Sequence, residues 1–68
     1  MKVYINHKEI EIFAGACVKD AVLAYDKAAW QFLLKGKLVV YDSYENIVEP
    51  DGALSADQSL SIKPTHLL

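Results

Sequence analysis

Hydrophobic and polar residues alternate at the start of the chain, through Lys2-Val3-Tyr4-Ile5-Asn6 and again through Glu9-Ile10-Glu11-Ile12. Alternation marks a half-buried strand, because side chains two apart along a strand point to the same face. Asn6-His7-Lys8 separates the two runs and predicts a tight connection, so the segment reads as a β-hairpin. Val3, Ile5, Ile10 and Ile12 share the face expected to be buried; Tyr4, Glu9 and Glu11 share the face expected in water.

Ala14-Gly15-Ala16 interrupts the alternation, and Cys17 then stands where a helix N-cap usually carries Ser, Thr or Asp. Asp20 follows near the positive end of the helix dipole. Val18, Ala21, Val22 and Tyr25 fall at i, i+3, i+4 and i+7, the apolar stripe of a helix, while Lys19, Asp20, Asp26 and Lys27 gather on the other side. A helix of about ten residues is expected from Val18, marginal alone and held by what it covers. Leu23 falls among the charged positions.

From Trp30 the pattern becomes strand-like. Trp30-Gln31-Phe32-Leu33-Leu34 predicts one strand, Lys35-Gly36 a two-residue turn, and Lys37-Leu38-Val39-Val40-Tyr41 its hairpin partner. Asp42 to Asn46 predicts a turn, Asn46-Ile47-Val48-Glu49 a short strand, and Pro50-Asp51-Gly52 a further turn, with Leu54 as a buried plug. Ser59-Leu60-Ser61-Ile62-Lys63 alternates again up to Pro64, a last strand with Leu60 and Ile62 inward. The order is strand, strand, helix, strand, short strands, strand. The expected fold class is α+β, a mixed sheet of about four to five strands with one main helix across it and the first and last strands parallel at the centre. That is the β-grasp, or ubiquitin-like, arrangement.

Asn-His-Lys-Glu-Ile-Glu-Ile-Phe-Ala-Gly-Ala-Cys-Val-Lys-Asp, from Asn6 to Asp20, resembles the opening of many β-grasp families, which run strand, turn, strand, Gly-x-Thr-Val, helix. Leu34-Lys35-Gly36-Lys37-Leu38-Val39 is similar to the central hairpin of thiamine-pathway sulfur carriers, and Ser55-Ala56-Asp57-Gln58-Ser59-Leu60 resembles their pre-terminal Asp-Gly-Asp and apolar strand. Those carriers end in Gly-Gly, whereas this sequence ends Pro64-Thr65-His66-Leu67-Leu68. Plant-type ferredoxins, also β-grasp, hold a cluster on four cysteines; here Cys17 is the only cysteine. Gly15-Ala16-Cys17-Val18-Lys19-Asp20-Ala21 is similar to the helix start of the TGS domains of synthetases and stringent-response enzymes. The resemblance thus implies the fold, without the terminus or the cysteines that carry out either family's chemistry.

The 68 residues suffice for one domain, expected over 1–64 with a tail at 65–68. A single cysteine excludes an internal disulfide and a thiolate zinc site from this chain alone, and points to a reducing, cytoplasmic setting. The net charge is −2 and every cation is lysine, which argues against a nucleic-acid partner, since phosphate binding wants a clustered basic field and arginine forks. No apolar run approaches the about 20 residues of a bilayer span, which argues against a membrane partner.

Candidate chemistry is sparse. Cys17 at a helix start could be activated by the dipole, but a small cysteine filling a threonine-like position is the commoner role. His7 sits in a turn and His66 in the tail, neither with a base partner in view. Glu45, Glu49, Asp51 and Asp57 lack the alternating ligand loop of a calcium site. No phosphate loop or serine or zinc motif occurs, so neither catalysis, a cofactor nor a metal is expected. The surface remains: Tyr4, Leu23, Leu33 and Tyr44 are the candidate protein-interaction residues. A non-catalytic accessory domain with a protein partner, which includes a homodimer, is the expectation. Its alternatives are a degenerate or truncated sulfur-carrier-like protein and a ligand-sensing regulatory domain cut from a larger enzyme.

Overall fold

A computed structural model describes residues 1–65. The hairpin forms as expected: β1 (Lys2–Ile5) pairs antiparallel with β2 (Lys8–Glu11), Val3 opposite Ile10. Asn6 and His7 both take positive φ, 51° and 71°, which is what a two-residue turn matched to strand twist requires. After a break, α1 (Val18–Tyr25) begins where the apolar stripe starts, and its Val18, Ala21 and Val22 are buried.

Residues 30–34, expected as a strand, are helical. The chain leaves α1 at Asp26, whose φ of −168° breaks the helix, and re-enters a second helix, α2 (Lys27–Leu34). Asp26 ends one helix and starts the next: its N–H donates to the Val22 carbonyl at 2.9 Å, and its carboxylate accepts from the Ala28 N–H at 2.9 Å. An aspartate N-cap satisfies a backbone donor that a helix start leaves bare. Ala28, Ala29, Leu33 and Leu34 then favour helix over strand. Two eight-residue helices therefore stand where one main helix was expected.

Lys35-Gly36, expected as a hairpin turn, closes α2 instead. Gly36 N–H donates to the Leu33 carbonyl at 3.0 Å and Lys37 N–H to the Phe32 carbonyl at 2.8 Å, the paired bonds of a helix ended by a left-handed residue. Gly36 has φ +76°, and a Cβ there would meet nothing within 4 Å, so alanine would suffer from backbone conformation alone. Gly36→Ala is expected to cost about 1–2 kcal/mol, and Gly36→Asn less, because asparagine tolerates this region. Equal urea midpoints for wild type and Gly36→Ala would refute this account of the helix end.

The chain then forms β3 (Leu38–Tyr41) and, after an irregular stretch, β4 (Ser59–Pro64). The order in the sheet is β2-β1-β4-β3: β1 and β4 are parallel at the centre and each edge strand is antiparallel to its neighbour. The fold is α+β with a four-stranded mixed sheet. The strand expected at 46–49 is reduced to a bridge between Ile47 and Tyr41, with the Val48 N–H donating to the Val40 carbonyl at 3.0 Å.

One face of the sheet carries the core. Val3 and Ile5 from β1, Ile10 from β2, Val40 from β3 and Leu60 from β4 meet Val18, Ala21 and Val22 of α1 and Ala29 of α2. Leu54 is buried as expected, held by its N–H to the Ala16 carbonyl at 3.3 Å. Removing these apolar side chains from water is the main force holding the helices on the sheet, at roughly 25 cal/mol per Å². Lys19 of α1 lies over the Trp30 ring of α2, 5.6 Å from its centroid, and ties the helices together.

Candidate functional site

α2 has more apolar surface than the core can use. Ala29 and Leu33, one turn apart, face inward; Ala28 and Phe32 lie on the adjoining flank. Phe32 is left 46% exposed, and below it β3 and β4 offer Leu38 and Ile62, both half-buried. Together they line a cleft of about 260 Å³ between α2 and the sheet. Small-molecule pockets run about 300–1,000 Å³, so this cleft has room for one or two side chains.

The polar end of the cleft is built from Asn6, Tyr25 and Asp26. Asn6 Oδ1 accepts from the Ile62 N–H at 2.9 Å, and its Nδ2 donates to the Tyr25 hydroxyl at 3.4 Å. Asp26 caps α2. Each polar group is thus engaged in holding a wall: the hairpin tip to β4, α1 to the hairpin, and α2 to its own start. They shape the cleft and leave its apolar part lined by Ala28, Ala29, Phe32, Leu38 and Ile62.

The residues singled out in the sequence do not form one area. Tyr4 alternates with buried Val3 and Ile5, so it lies on the sheet face away from the helices, beside Glu9 and Ser59. Leu23 is half-buried on α1, in the helix layer. Leu33, expected on a strand, is half-buried against the core from α2. Tyr44 is 83% exposed in the turn after β3, where the Asp42 carboxylate accepts from its N–H at 2.8 Å. Phe32 was missed. Asp26 followed by Lys-Ala-Ala is the signal that could have found it, since a helix started there sets Phe32 one turn beyond Ala28.

Cys17 is half-buried at the start of α1, and its thiol donates to Asp20 Oδ2 at 3.3 Å. The contact, with the Cys17 N–H donating to the same Asp20 oxygen at 3.0 Å, ties the start of α1 to its first turn. His7 is exposed in the hairpin turn, and His66 lies outside the described residues. Glu45 pairs with Lys63 at 3.3 Å. Among the described residues no group of three or more His, Cys, Asp or Glu is placed to hold a metal ion, and no helix is long and apolar enough to cross a membrane.

Two carboxylates titrate low. Asp20 is held below its ordinary 3.8 chiefly by the Cys17 backbone N–H, then by the Cys17 thiol. Asp42 is lowered chiefly by the Asn46 N–H, with a further contribution from the Tyr44 N–H. A depressed folded value means that stability is fully present above the unfolded value and lost as pH falls through the folded one. Stability is therefore expected to fall below about pH 4, and the Asp20→Asn/Asp42→Asn double variant to show a shallower acid loss in urea titrations. An unchanged acid loss would show that neither carboxylate contributes.

No family model matches the chain, and no curated protein or solved structure matches it either.

Proposed function

We propose that this chain is a non-catalytic domain of β-grasp (ubiquitin-like) type that works in a reducing, cytoplasmic setting by docking a protein partner through the cleft between α2 and the sheet. The β-grasp assignment is supported by the strand order and the parallel central pair, with both helices on one face. The docking role rests on one observation: Phe32 stays 46% exposed above Leu38 and Ile62 although the buried core is a few residues away. Exposed aromatics beside a small apolar cleft are the common anchors of protein interfaces, where a few residues supply most of the binding energy. The lone thiol favours a compartment where cysteines stay reduced.

The test compares tagged wild type with Phe32→Asp for capture of partners from native cell extract, and for self-association by sedimentation. Circular dichroism is run alongside. Phe32→Asp is expected to keep its fold, because the ring adds little to the core, and to weaken association about tenfold or more. Equal association by a folded Phe32→Asp would overturn the role of the cleft. Loss in Tyr4→Asp alone would move the interface to the open sheet face.

A further inference from the structure

We draw no further inference here: the strongest candidate, the exposed patch of Tyr44 and Ile47 on the acid-rich stretch beside β3, is an unpartnered apolar area, and nothing in the structure shows what covers it.

Discussion

Ile5→Ala is expected to remove about 2–5 kcal/mol of stability, the range for truncating a fully buried isoleucine. Ile5 is 0% exposed and heads the fully buried side chains by volume. It lies on a central strand, opposite Leu60 across the parallel β1/β4 pair and beneath the helices. A methyl in its place loses the transfer free energy of the missing carbons. It also leaves a void that strands paired on both sides cannot close. At 0.05–0.15 kcal/mol per residue a chain of 68 has only about 3–10 kcal/mol in all, so this loss is a large fraction of the total. Ile5→Val keeps the branch and should cost about 0.5–1.5 kcal/mol. Urea titrations followed by Trp30 fluorescence measure both. A loss below about 1 kcal/mol for Ile5→Ala would mean that β1 does not lie at the centre of a packed core.

The strands that bury one face were legible because period two admits one solution. Turning Val3 and Ile5 outward would expose Ile10 and Ile12 as well, and a slip of one residue would invert them all. α1 was legible for a similar reason: Val18, Ala21, Val22 and Tyr25 can share a face only at a helical period. The central parallel pair followed from topology, since a single helical layer leaves one economical way to join the first and last strands. Trp30 to Leu34 was not legible. A short apolar run rich in aromatics satisfies a buried strand and a helix equally, and periodicity alone does not choose between them. Gly36 gave the same double message, since glycine serves a two-residue turn and a helix end alike. The deciding residue was Asp26, read as a charge on the outer side of α1 when its carboxylate caps α2. The same difference bears on the candidate site: the helix turns Leu33 toward the core and puts Phe32 over the cleft.

Because the site depends on α2 being helical, the sharpest test acts on its backbone. Gln31 sits in the middle of α2 with its side chain exposed, so replacing it disturbs little packing. Proline there removes the N–H that bonds back along the helix, and its ring collides with the carbonyl one turn earlier. Gln31→Pro is expected to cost about 3 kcal/mol or more, comparable to the loss of a core residue. The damage should spread, because Ala29 and Leu33 on the same helix pack on the core and Lys37 N–H closes the helix end on Phe32. Gln31→Val separates the two conformations in the opposite sense. A β-branched residue gains in a strand and loses a few tenths of a kcal/mol in a helix, so it should be slightly destabilising here. Urea midpoints with far-UV circular dichroism measure both variants. If Gln31→Pro were tolerated and Gln31→Val stabilising, residues 30–34 would be extended and the cleft under Phe32 would not exist.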